Sequence, residues 1–241
     1  MNEARHSLDR LAAATDRVLA TATGMNDTQA REPSLLPGWT RGHVLSHIAR
    51  NADGMVNLLR WARTGTQTPM YGRAETRSAD IEAGAGRPAA SLAADVRESA
   101  ATLAAAAADM PDDAWTAQVR ALNGPPFPAL GVLERRLSEV EIHHVDLAAG
   151  YAPGDWPEDF LGEALPRVAG SFAGRADAPR CLVQAEGTTD WFRIGPEQAG
   201  PPPVIIHGPR ADLLAWLLGR GDGSTLTPAT GDALPELPPW R

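Results

Sequence analysis

A single cysteine, Cys181, occurs in the 241 residues. An internal disulfide is therefore excluded, and so is a cysteine-rich zinc site. The chain also lacks a basic surplus: 30 acidic side chains oppose 22 basic ones, a formal charge of -8. A nucleic-acid footprint needs a clustered basic face, and this charge balance argues against one. No apolar run reaches the roughly 18–20 residues of a membrane span. The opening stretch MNEARHSLDRLAAATDRVLA has no long apolar core of the signal-peptide kind. These absences lead to the expectation of a soluble, cytoplasmic protein with no nucleic-acid or membrane partner.

What is present divides into two parts. Up to about residue 150 the text is rich in alanine, and apolar residues recur at intervals of three and four. Ser7 is placed to cap a first helix carrying Leu8, Leu11, Val18 and Leu19. Thr40 caps a second, with Val44, Ile48, Met55, Leu59 and Ala62 along one side. The stretch TGTQTPMYGRAETRSADIEAGAGRP reads as turns. A third helix carries Leu92, Val96, Leu103 and Met110. A fourth runs from about Pro128 to Ala149 and ends at Gly150. Four helices of these lengths make a bundle. Beyond GYAPGDWPEDF the pattern changes. A short helix near 157–174 precedes CLVQAE and WFRIG, two strand-like runs joined by GTTD as a hairpin. PPPVIIHG reads as a third strand, RADLLAWLLGR as a helix, and the Pro-rich end as an extended strap. The predicted architecture is multidomain: a four-helix bundle over 1–152 and a small α+β domain over 153–241.

The segment EVEIHHVDL, residues 139–147, carries five ionisable side chains among apolar ones. At about 100° per residue, Leu130, Leu133, Leu137, Val140, His144 and Ala148 form one stripe. Glu139, His143 and Asp146 share another face. Glu139 and His143 are four apart, so their heads can converge. On the second helix His47 stands at the edge of the apolar stripe, with Asn51 beside it, and His43 is rotated away. A carboxylate and two imidazoles from facing helices suit a metal ion with open positions. Asp146 is placed to orient His143 from behind. An i,i+4 Glu–His pair is also a common surface pair, and spacing alone leaves Glu141 with His144 open as the ligating set.

PGWTRGHVLSHIARNADGM, followed much later by RRLSEVEIHHVDLAAGY, resembles the N-terminal domain of mycothiol-dependent maleylpyruvate isomerases. These belong to the DinB-like family of metal-binding four-helix bundles. RAETRSADIEAGAGRPAASL and IIHGPRADLLAWLLGRG are similar to that group as well. The resemblance implies metal ligands at His47, Glu139 and His143, and disfavours Glu141 and His144. It implies zinc, although two nitrogens and one oxygen also accept nickel, cobalt or manganese.

The resemblance further implies thiol-assisted cis–trans isomerisation. Maleylpyruvate, a dianion from gentisate ring cleavage, becomes fumarylpyruvate, and mycothiol is regenerated. A zinc ion would make the thiol a thiolate. Arg220, near the end of the last helix, is the cation expected to face the substrate's charge. Its plainer role is that of a cation at a helix C-terminus. Arg77 is a weaker candidate, read as a solvated loop charge. A cleft between domains suits a large thiol. Trp39 and Trp61 are candidates to line it, with core packing as their plainer role. Two other functions compete: a mycothiol S-transferase, which would consume the thiol, and a non-catalytic zinc-binding regulatory module.

Overall fold

The computed structural model describes residues 2–72, 74–122, 124–197, 202–229, 231 and 233–240. It divides into two compact units, Met1–Gly150 and Tyr151–Arg241.

In the N-terminal unit four long helices surround an aliphatic core: α1 (Asn2–Gly24), α3 (Arg41–Thr64), α5 (Ala89–Ala108) and α6 (Gly131–Asp146). Each of α1 and α3 packs against both α5 and α6, which closes the ring of a four-helix bundle. Val18, Val44, Leu45, Ile48, Leu58, Leu92, Val96, Leu133 and Val140 fill its centre. Each such side chain contributes about 1.5–3 kcal/mol on burial, so the bundle does not depend on any one polar group.

Several boundaries differ from the sequence reading. Ser7 caps nothing; α1 begins at Asn2 and Ser7 is buried within it. The helix expected over 128–149 is shorter at both ends. Phe127–Pro128 (β2) pairs instead with Gln118–Val119 (β1). Ala148 turns to φ 49, so the helix ends before Gly150. The stretch read as turns holds a helix, α4 (Ala74–Ala85), packed on α3; a short α2 (Asp27–Ala30) lies earlier in the chain. Among the α4 residues whose burial is described, Ile81, Gly84 and Ala85 are buried, which leaves no apolar stripe for a periodicity argument to find.

Thr40 caps α3 as expected, through a capping box in which its side chain accepts from the His43 amide and Nδ1 of His43 accepts from the Thr40 amide at 3.1 Å. Arg41 fixes where α3 begins relative to where α6 ends. Its Nε donates to the carbonyl of Leu147 at 2.7 Å and its Nη2 to that of Ala148 at 2.8 Å. These are unpaired carbonyls of a helix end, where a cation is also favoured. The tie brings the first two turns of α3 alongside the last two turns of α6.

The approach of α4 to α3 depends on a missing side chain. A Cβ at Gly42 would lie 2.2 Å from the carbonyl oxygen of Ala85. Backbone cannot yield as a flexible side chain does. Gly42→Ala is therefore expected to destabilise the unit by about 1–3 kcal/mol, read as a lower denaturant midpoint. An unchanged midpoint would show that α4 can slide.

The C-terminal unit has a four-stranded sheet of order β4-β3-β5-β6, with β3 Cys181–Ala185, β4 Trp191–Ile194, β5 Val204–Gly208 and β6 Thr227–Pro228. β3 and β4 form the expected antiparallel hairpin, and β3 runs parallel to β5. α7 (Glu158–Phe172) packs on β4, while α8 (Arg210–Leu218) packs on β3 and β5. The tail lies against the end of α7: Trp240 donates to Ser171 Oγ at 3.1 Å, and Arg175 donates to the Pro239 carbonyl at 3.2 Å. Part of PPPVIIHG, Pro201, lies outside the described residues. Cys181 is buried in β3, and burial pushes its thiol up to about 11.

Candidate metal centre

His47 on α3 and Glu139 and His143 on α6 converge. One ligand atom from each lies within 4.8 Å of the others. Nε2 of His47 is 2.9 Å from Oε2 of Glu139, and Nε2 of His143 is 3.4 Å from the same oxygen. The two rings meet edge to face with centroids 4.4 Å apart. His143 Nδ1 bonds Asp146 Oδ2 at 2.8 Å, and the Asp146 side chain has no exposure. That bond turns Nε2 of His143 toward Glu139, the arrangement in which a buried carboxylate orients a ligating imidazole.

Two nitrogens and one oxygen at these separations fit a divalent cation. The charges agree. Burial lowers His47 to about 4, against an ordinary 6.5, so this ring is neutral at pH 7. Burial pulls Glu139 upward, but bonds from His143 and His47 outweigh it and hold the carboxyl well below its usual range. Burial also opposes charge on His143, yet its bonds to Asp146 and Glu139 raise it above 6.5. A proton on His143 thus sits where a cation belongs.

That proton must leave when a metal binds. The sign follows: since His143 is raised, metal affinity increases as pH climbs through the His143 pKa and levels off above it. Calorimetric loading in buffers of different ionisation heat is expected to show about one proton released on the acid side and fewer on the basic side. Affinity independent of pH between about 6 and 8 would remove His143 from the ligand set.

Glu141 and His144 point elsewhere on α6. Glu141 pairs with Arg17 of α1, and Nε2 of His144 lies 2.7 Å from Thr21 Oγ1. Asn51 is not a companion of His47. Its Oδ1 accepts from Arg136 at 2.9 Å. His43 is held by Thr40 and by Glu82, at 3.2 Å. Trp39 borders the centre, its ring centroid 5.7 Å from that of His47. Trp61 is about 21 Å further along the same helix at 1.5 Å per residue and does not border it. Arg220 belongs to the C-terminal unit, just past the left-handed Gly219, where its Nη1 donates to the Leu218 carbonyl at 2.6 Å.

The reading of Arg77 as a solvated loop charge is overturned. Arg77 is on α4, and its Nη2 donates to Nδ1 of His47 at 3.0 Å. Its guanidinium lies 5.4 Å from the centroid of Tyr71. With Arg77, Asp53 and Tyr71, Arg50 lines an adjoining cavity of about 190 Å³. An arginine only donates, so Nδ1 of His47 accepts and the proton of the neutral ring is on Nε2. A metal at Nε2 would reverse this tautomer, put hydrogen on Nδ1, and end the contact with Arg77.

The mycothiol maleylpyruvate isomerase N-terminal domain matches residues 11–148, and the C-terminal domain of the same isomerases matches residues 155–239. The chain belongs to this family. Two solved structures described as a mycothiol-dependent maleylpyruvate isomerase, one of them a histidine-to-alanine variant, are similar throughout. Each is 30% identical, with 98% of this chain and 97% of the other covered, and a TM-score of 0.91. No curated protein matches. No helix among the described residues of this family member is long and apolar enough to cross a membrane.

Proposed function

We propose that this chain is a cis–trans isomerase that uses mycothiol as a regenerated cosubstrate and converts maleylpyruvate to fumarylpyruvate, a step in gentisate breakdown. The observation that carries the reading is the convergence of His47, Glu139 and His143 in a chain superimposable along its length on a solved isomerase. Zinc is the ion assigned to these residues, and the cytoplasm is the compartment.

The three ligands supply one negative charge, so a divalent ion leaves the site net positive and receptive to anions. When bound, such an ion lowers the pKa of a coordinated thiol or water. The protein's own groups do the rest. Asp146 holds the His143 ring in place. Arg77, released from Nδ1 of His47, offers its fork to a substrate carboxylate. The chain contains no lysine, so its anion-binding cations are arginines. Arg220 is assigned the second carboxylate or the developing enolate. The cavity beside Arg77 carries Asp53, Asn57 and Asp80 as well, a polar lining that suits the hydroxyl-rich part of the thiol.

The electron count is simple. The thiolate adds to the conjugated alkene, and the electron pair moves to the carbonyl oxygen as an enolate. The former double bond is now single and rotates. The pair returns, the alkene re-forms as the trans isomer, and the thiolate leaves unchanged.

Purified protein incubated with maleylpyruvate and a substoichiometric amount of mycothiol tests this. Complete conversion to fumarylpyruvate with free thiol undiminished is expected. Thiol consumed in step with substrate would make the chain an S-transferase, and metal binding without turnover would leave a binding module.

A further inference from the structure

α3 and α6, the two helices that carry the candidate ligands, are tied to each other on both sides of the metal centre. Arg41 makes the tie at one end, through the carbonyls of Leu147 and Ala148. Arg136 makes the other. Its Nη1 carries two hydrogens and donates one to the carbonyl of Ile48 at 2.7 Å and one to Oδ1 of Asn51 at 2.9 Å. Ile48 follows His47 in the chain and Asn51 stands one turn beyond it, while Arg136 stands one turn before Glu139. The Ile48 carbonyl lies inside α3, where one lone pair serves the helix and the second is open to Arg136. A bond to main chain holds the helix itself, and no side-chain rotation on α3 releases it.

The tie is held at a cost. Arg136 is only 1% exposed. Burial pulls its guanidinium down to about 10, against the charge of Glu139, so it remains a cation at neutral pH. Both acceptors are neutral, and Nη2, buried as well, has no hydrogen-bond partner. Apolar side chains of similar volume often serve a core as well as a buried charge, or better. Departures of this kind from apolar packing gather where function needs them. We propose that Arg136 is a positioning residue of the metal centre: together with Arg41 it sets the separation and rotation of α3 and α6, and so the spacing of His47 from Glu139 and His143, before an ion arrives. Such a ligand set has to be held to within about 0.5 Å and about 10–20°, which one tie between two rods does not secure and two ties do. This role presupposes the ion at His47, Glu139 and His143.

Zinc affinity of the full-length protein, measured by competition with a chromophoric chelator, tests it. Asn51→Leu removes one of the two acceptors and leaves every charge in place. Its zinc affinity is expected to fall by about tenfold, the low end of the loss seen when groups behind metal ligands are removed. Asn51→Asp, which keeps an oxygen for Arg136, binds at least as tightly as the wild type. Arg136→Met combined with Asn51→Leu strands no donor or acceptor of the pair. Its metal-free thermal midpoint is expected to equal or exceed the wild-type value, while bound cobalt(II) shows an altered visible band because the ligand helices are no longer held. Wild-type zinc affinity in Asn51→Leu, or an Asn51→Asp variant as weak as Asn51→Leu, overturns the proposal. A lower midpoint in the double variant makes Arg136 a support of the bundle and overturns it too. So does an unchanged cobalt band, which decides even where Asn51→Leu does not fold. A wild type that takes up no divalent ion removes the metal-centre reading itself. Failure of the tie alone is distinct from that, since the wild type then loads and Asn51→Leu matches it.

Discussion

Glu139→Ala and His47→Ala are each expected to purify without a bound divalent ion while the bundle remains folded. Elemental mass spectrometry set beside far-ultraviolet circular dichroism is the measurement. Of three protein ligands, either change leaves two. Orienting partners such as Asp146 are worth about 10–100-fold in metal affinity, and a direct ligand is worth more. Asp146→Ala is accordingly expected to retain partial occupancy, with affinity down by about that factor. The fold survives because its core is aliphatic and Glu139 is one-third exposed. Removing Glu139 strands no charge on His143, which keeps Asp146. Full occupancy in both alanine variants would remove the metal from His47, Glu139 and His143, and with it the support for the proposed chemistry.

Arg77→Ala is expected to move two observables in opposite directions. Metal affinity holds or rises, since the variant no longer places a guanidinium on Nδ1 of His47 beside an incoming cation. Turnover at subsaturating maleylpyruvate falls by about 10–100-fold, the loss of a charge-assisted hydrogen bond to a substrate carboxylate. Lysine in its place does not restore the rate, because a point charge lacks the two-pronged geometry. Arg220→Ala, in contrast, leaves metal affinity unchanged and lowers turnover only. The pairing separates a residue touching the ligand shell from one that does not. A variant at position 77 that loses metal and activity together would make Arg77 a structural support for α4, and normal turnover would free it from the mechanism.

The sequence was most legible where helical spacing alone brings groups together. Glu139 and His143 share a face of α6 because they are four apart, and His144 lies in the apolar stripe, where it is indeed buried. The placing of His47 against them required only that α3 face α6. What spacing could not disclose lies across long sequence intervals or on elements without a stripe. The partnership of Arg17 with Glu141 spans 124 positions. Asn51 shares the edge of the stripe with His47 yet turns to Arg136, a choice made by the guanidinium crossing the core. Arg77, a weaker candidate read as a loop charge, was misplaced because α4 rests on α3 through small residues, Gly84 and Ala85, and its contact relies on the bare backbone of Gly42. β1, β2 and β6 are two residues long each, below any period.

Cys181 bears on how such a protein lives with reactive partners. Electrophiles that a small thiol intercepts attack protein thiolates just as readily, and thiolate fraction and access govern which is hit. Burial in β3 and the raised pKa leave Cys181 almost wholly protonated and out of reach. Under the proposed function, the chain would therefore handle an electrophilic substrate without becoming its victim. In the test tube the same property makes the folded protein silent to maleimide, so every thiol counted during turnover belongs to the added cosubstrate.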